Sequence, residues 1–171
     1  MELAALIRDV PDFPIEGIMF KDITTLIRDE DAFREVIDWM TDQYADSRID
    51  CVVAVEARGY IFGAPLAYKL GVGFVPIRKP GKLPAKTISE SYELEYGTNT
   101  LEIHEDGIEP GQRVLVIDDL LATGGSARAA VNLVERLGGE IIGVAFLVEL
   151  DFLHGRAKLE GYDVLSLIHY A

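Results

Sequence analysis

The chain has 171 residues, 49% of them apolar and 26% charged, which is the balance of a folded domain with a real core and excludes a disordered segment. Its 29 acidic residues against 16 basic ones leave a net charge of -13, which disfavours non-specific attraction to nucleic acid or to anionic lipid. A chain this acidic can hold a polyanion only through a few well-placed donors and a metal ion, not through bulk charge.

The opening Met1-Glu2-Leu3 lacks the basic region and apolar stretch of a secretory leader, and no segment approaches the ~20 apolar residues that span a bilayer. A cytoplasmic location and no membrane partner are expected. Residues 2–8 suit a short amphipathic helix closed by the turn-rich Asp9-Val10-Pro11-Asp12-Phe13-Pro14. Asp29 or Asp31 can cap a helix running to about Tyr44, with Phe33, Val36, Ile37 and Met40 on one apolar stripe. Residues 50–55 form a β-branched run typical of a strand buried on both faces, and they make Cys51, the lone cysteine, a buried and inert thiol. A helix over 60–70 ends at Gly71, and a second strand covers 72–77. From Lys79 to Glu105 the sequence turns polar and Gly- and Pro-punctuated, and its second half alternates as a hairpin around Gly97-Thr98-Asn99. An insertion of that length is usually a lid or binding loop. Val114-Leu115-Val116-Ile117 is another buried strand, 125–137 a helix stopped by Gly138-Gly139, and 140–148 and 162–168 two further strands. This alternation predicts an α/β fold, a doubly wound and mainly parallel sheet with helices on both sides, in a single domain over 1–171.

The segment from Val114 to Ser126 carries the most chemistry. A buried strand runs into Asp118 and Asp119, then a short loop, then Thr123-Gly124-Gly125-Ser126 at a helix start. Helix N-termini present unpaired N–H groups and partial positive charge; the glycines let the backbone approach an anion, and the two hydroxyls add donors. The paired carboxylates would repel a phosphate directly, so they make sense facing sugar hydroxyls or a magnesium ion shared with the ligand. Alone, Gly-Gly is an ordinary turn and Asp an ordinary strand-end cap. In this order they point to a ribose-phosphate site.

That run resembles the phosphoribosyl pyrophosphate (PRPP) signature of the type I phosphoribosyltransferases, in the version of members that act on adenine. The resemblance implies that fold, with residues 1–30 as a small base-binding hood and 79–105 as a flexible β-hairpin lid. It implies that Ala122, Thr123, Gly124, Gly125 and Ser126 wrap the 5-phosphate while Asp118 and Asp119 meet the ribose. Glu56-Ala57-Arg58-Gly59 is similar to the family's pyrophosphate loop, with Ala57 where serine is more usual, and a non-proline cis peptide is expected near Glu56–Arg58. Arg78-Lys79-Pro80-Gly81-Lys82-Leu83-Pro84 resembles a second pyrophosphate segment. It assigns Arg58, Arg78, Lys79 and Lys82 to that group, with Lys82 open to acting in a neighbouring subunit of a homodimer. By the same resemblance Glu95 and Tyr96 of the lid reach the reacting centre, together with Arg58. Met19, Phe20 and Lys21 contact adenine, and Leu150 forms another face of that slot. The reaction implied joins adenine to the ribose phosphate of PRPP, releasing pyrophosphate and making AMP, with Mg2+ held mainly by the pyrophosphate and water and no metal ligand from the protein. Other bases (hypoxanthine, guanine, xanthine, orotate) are the nearest alternatives. A non-catalytic purine sensor is the more distant one, and it would need a nucleic-acid-binding face that this acidic chain lacks.

Overall fold

The computed structural model describes residues 2–94 and 96–171, and the chain divides into two compact units, Met1–Met40 and Thr41–Ala171. In the first unit, a single 3-10 turn (Leu3–Leu6) leads to strand β1 (Arg8–Pro11), which pairs antiparallel with β2 (Met19–Asp22). A one-turn helix α1 (Thr24–Ile27) follows, and then α2 (Glu30–Tyr44). The helix expected over 2–8 is therefore a turn and the start of a strand. Tertiary partners decide this: the Arg8 N–H donates to Thr25 Oγ1 at 3.2 Å, and its guanidinium donates to Asp22 across the ladder at 2.6 and 3.0 Å. Hydrogen bonds from Thr24 and then Arg8 hold the Asp22 carboxyl down at about 2. Asp29, not Asp31, caps α2, its Oδ1 accepting the amides of Asp31 and Ala32 at 3.1 and 2.9 Å. Val36, Ile37 and Met40 are buried on that helix as the stripe predicts.

The second unit contains β3 (Cys51–Val55), α3 (Arg58–Leu70), β4 (Gly73–Ile77), the hairpin β5 (Thr87–Glu93) and β6 (Thr98–His104), β7 (Arg113–Leu121), α4 (Gly125–Arg136), β8 (Glu140–Leu150) and β9 (Val164–Tyr170). Two 3-10 segments, Asp151–Leu153 and Gly155–Leu159, join β8 to β9. Five strands make one parallel sheet in the order β4-β3-β7-β8-β9. Every residue of β3 is buried, as its unbroken apolar run requires of a strand covered on both faces. Alternation along β3 separates the two helices. Gly63 of α3 sits so close to Ala54 that a methyl group there would lie 2.7 Å from the Ala54 Cβ, whereas Cys51, Val53 and Val55 join the core cluster of α4. One helix thus lies on each side.

The chain leaves β3 to form β4 on one flank and leaves β7 to form β8 on the other. The strand order reverses between β3 and β7, and parallel sheets open a ligand crevice at the carboxyl ends of such a pair. The β5–β6 hairpin is longer than its sequence alternation suggests, pairing from Thr87↔His104 to Glu93↔Thr98. Its lower half is not loose: Leu101 and Ile103 are buried in the α4 core, and backbone bonds of 3.0 and 2.7 Å tie Arg78 to Glu102. No described helix is long and apolar enough to cross a membrane.

Candidate functional site

The β3 and β7 exits converge. Strand β7 stays extended through Asp118 and Asp119, which are only 9% and 6% exposed, and ends at Leu121. The chain then turns through Ala122 and Thr123 to Gly124, whose φ of +89° is a left-handed conformation open to glycine at little cost. Helix α4 starts at the next residue, and no described side chain caps it. Its first-turn amides and the positive end of its dipole thus face the loop as a ready anion site.

Burial raises the Asp118 carboxyl well above the usual carboxylate range, and the adjacent Asp119 charge pushes it the same way. Asp118 Oδ1 accepts the Asp119 amide at 2.8 Å, and Gly59 lets the first turn of α3 come up against it, since a Cβ there would lie 3.0 Å from that oxygen. Asp119 accepts a hydrogen bond from Arg58 Nε at 2.6 Å. The β3 exit carries the peptide expected from the sequence: Glu56–Ala57 is cis. Glu56 accepts the Lys79 amide at 2.7 Å and Arg78 Nη2 at 3.3 Å. The Lys79 amide bond, opposed by burial and aided by Arg78, holds the Glu56 carboxyl below its ordinary value.

A cleft of about 440 Å³ lies between these exits, lined among others by Arg58, Lys79, Asp118, Asp119, the Ala122–Gly124 turn and Ser126. Most residues singled out for the sugar phosphate and pyrophosphate are therefore neighbours. Gly125 is not part of the lining. A Cβ on it would lie 2.7 Å from Tyr92 Cδ2, so this glycine makes room for a ring of the hairpin. Arg78 stands behind Glu56, and Lys82 is exposed outside the cleft with its carbonyl 3.5 Å from Arg78 Nη1. Tyr96 is 88% exposed at the hairpin tip, and Glu95 lies outside the described residues. Leu150 ends β8, half-buried. In the first unit Met19 is 53% exposed, Phe20 packs edge-on to Phe13 at 5.0 Å, and Lys21 Nζ donates to Asp9 at 2.6 Å.

The sequence placed Glu56 and Gly59 in the pyrophosphate loop but not their contacts, Glu56 as the acceptor organising Lys79 and Arg78 and Gly59 against Asp118, and it missed Tyr92 against Gly125. Tyr92 had a visible signal, because strand alternation puts it two residues before Leu94, and both line the cleft.

Residues 22–168 match the phosphoribosyl transferase domain. The adenine phosphoribosyltransferase of Thermotoga sp. (strain RQ2) is 61% identical over 170 residues, covering 99% of this chain and 100% of that protein. The crystal structure of adenine phosphoribosyltransferase from Thermoanaerobacter pseudethanolicus superposes with a TM-score of 0.96 at 56% identity, covering 99% and 98% of the two chains. The Saccharomyces cerevisiae enzyme, solved with adenine and an imino-altritol bisphosphate, gives 0.91 at 43% identity, covering 97% and 96%. Similarity of this extent, over a cleft of this construction, means that the chain belongs to the adenine phosphoribosyltransferase family.

Proposed function

We propose that the cleft between the β3 and β7 exits carries out the family's reaction: adenine and PRPP give AMP and pyrophosphate, in purine salvage. The observation that carries this reading is the bare-amide turn Ala122–Ser126 beside two buried aspartates, an anion site and a hydroxyl site side by side at the switch point. The turn takes the 5-phosphate, and Asp118 and Asp119 accept hydrogen bonds from the ribose hydroxyls. Arg58 and Lys79 meet the pyrophosphate from the cleft wall, with Arg78 behind them and Lys82 acting across the boundary of a homodimer.

Magnesium enters as part of the substrate, carried on the pyrophosphate with its water. The donor set fits that arrangement. Arg58 engages one oxygen of Asp119, and the acceptor sites that remain on the two carboxylates serve the ribose hydroxyls, which leaves the ion to the pyrophosphate and its water. A second set, Glu149, Asp151 and His169, brings ligand atoms within 4.8 Å of one another, but Arg156 already donates to both Glu149 oxygens, at 2.7 and 3.1 Å.

The purine N9 displaces pyrophosphate at the anomeric carbon with inversion, through an oxocarbenium-like transition state. Negative charge grows on the leaving group, where cations and the amides of preorganised loops stabilise it. Holding the remote phosphate spends binding energy on orientation. Within the lid segment 79–105 the lower half stays anchored while the hairpin tip closes to keep water from the ribosyl cation, with Tyr96 and Glu95 at the reacting centre. Glu95, a backbone carbonyl or a water takes the purine proton. Met19, Phe20 and Lys21, within the 1–30 hood, read the base, as does Leu150. The enzyme works in the cytoplasm.

The decisive assay follows pyrophosphate release with PRPP, Mg2+ and, in turn, adenine, hypoxanthine, guanine and orotate. Adenine is expected to be turned over at least ~100-fold more efficiently than the others, since a site built on hydrogen bonds to one base edge rejects others strongly. Equal turnover of another base, or none of adenine, overturns the reading.

A further inference from the structure

The phosphate turn has a back wall that the motif does not contain. Gly155, buried at the start of the 3-10 segment Gly155–Leu159, lies backbone to backbone against it. A methyl group on Gly124 would lie 2.5 Å from the Gly155 carbonyl oxygen, and one on Gly155 would be driven into the Ala122 carbonyl and to 3.1 Å from the Gly124 nitrogen. Unlike Gly124, Gly155 does not have a left-handed φ, so its lack of a side chain answers to space and not to backbone conformation.

The segment is itself clamped. Arg156 donates through Nε and Nη2 to both oxygens of Glu149 on β8, at 3.1 and 2.7 Å, and through Nη1 to the Val164 carbonyl of β9 at 2.9 Å. Ser166 completes the cluster with a 2.7 Å bond to Glu149. Burial works against the Glu149 charge, yet the bonds from Arg156 and Ser166 outweigh it and hold the carboxyl below its ordinary range. Leu159 is buried in the α4 core cluster at the other end of the segment. Strand β8 and the edge strand β9 are thereby linked, through a short segment, to the back of the turn at Ala122 and Gly124.

We propose that Gly155, held by the Arg156–Glu149 clamp, is a positioning residue for the 5-phosphate turn: packed against the Ala122 carbonyl and the Gly124 nitrogen, it fixes the turn so that the amides of Gly125 and Ser126 at the start of α4 are presented to the phosphate. This rests on the reading of that turn as the 5-phosphate site. Displacing a binding loop by about 1 Å can cost ~100-fold in rate, so a side chain at position 155 should act well beyond its size.

The test uses the full-length protein and two probes, ribose 5-phosphate for the turn and magnesium pyrophosphate for the opposite wall, with dissociation constants measured by calorimetry. Gly155→Ala is expected to weaken ribose 5-phosphate ~10- to 100-fold and to raise the KM for PRPP by a similar factor. Pyrophosphate affinity should stay within ~2-fold. Gly111→Ala is the control: its φ is +88° with nothing within 4 Å of a Cβ, and it lies before β7 at the end remote from the cradle. It should lower the melting temperature and leave both probes unchanged. Gly155→Ala with wild-type ribose 5-phosphate affinity, or with equal loss of both probes, overturns the proposal. Where Gly155→Ala does not fold, Arg156→Met decides, since it loosens the clamp without entering the turn. Selective loss of ribose 5-phosphate, partly restored in Arg156→Lys, supports positioning, and no selective loss overturns it. Wild-type protein that fails to bind ribose 5-phosphate sinks the assignment of the turn itself, a result distinct from an unaffected Gly155→Ala.

Discussion

The two walls of the cleft share a topology and differ in chemistry. Each is a strand, a short turn and a helix, leaving neighbouring parallel strands at the same end of the sheet. The β7 wall offers backbone: a left-handed glycine, uncapped amides and two carboxylates out of solvent. The β3 wall offers side chains that already have partners, Arg58 on Asp119 and Arg78 on Glu56. The backbone of the turn carries no titratable group and is spoiled by filling space. A wall of ion pairs can exchange partners when a polyanion arrives. On the function proposed above, the difference suits a phosphate that stays bound throughout the reaction beside a pyrophosphate that must leave.

The sharpest way to break this comparison is Gly124→Ala. The left-handed backbone costs ~1–2 kcal/mol for an L side chain, and the Gly155 carbonyl 2.5 Å away leaves no room for the methyl group. Together these are expected to lower kcat/KM for PRPP by ~100-fold or more, measured in steady state. Arg58→Ala should be milder, about 10- to 50-fold in kcat/KM with Arg58→Lys intermediate, because Lys79 remains on that wall. A loss at position 58 larger than that at 124 reverses the ranking of the walls.

The smallest effect sharpens the comparison through pH. The Asp118 carboxyl is raised in the folded state, first by burial and then by Asp119, so the fold favours its neutral form. The stability this group contributes is present at low pH and is lost as pH rises through the raised folded value. Asp118→Asn has no such proton to lose. Its melting temperature relative to wild type should therefore climb as pH rises above the ordinary carboxylate range in the ligand-free protein, and a constant offset counts against a raised Asp118.

Much of this was legible in the chain itself. The strands that flank the site announce themselves because burial on both faces forbids polar residues, as in Cys51–Val55 and Val114–Ile117. Asp118 and Asp119 stood out for the converse reason, as charges at the end of such a run. The β1–β2 hairpin was not legible. Its strands are four residues each, one ends in Pro11, and cross-strand pairs such as Arg8–Asp22 and Lys21–Asp9 help hold them. Nor was the wall behind the turn, since Gly155 lies some thirty residues beyond Gly124 in a segment without periodicity.

The amino-acid order alone determined the parallel sheet and the place of the glycine turn after Asp118 and Asp119, because periodicity and glycine placement are local and act within a few residues. Tertiary structure decided what each glycine of the site packs against. Gly124 meets Gly155, Gly125 meets Tyr92 and Gly59 meets Asp118, and each of these contacts brings together residues far apart in the chain. Close packing set those distances, and a pattern along one strand or helix cannot encode a neighbour that only the folded backbone brings near.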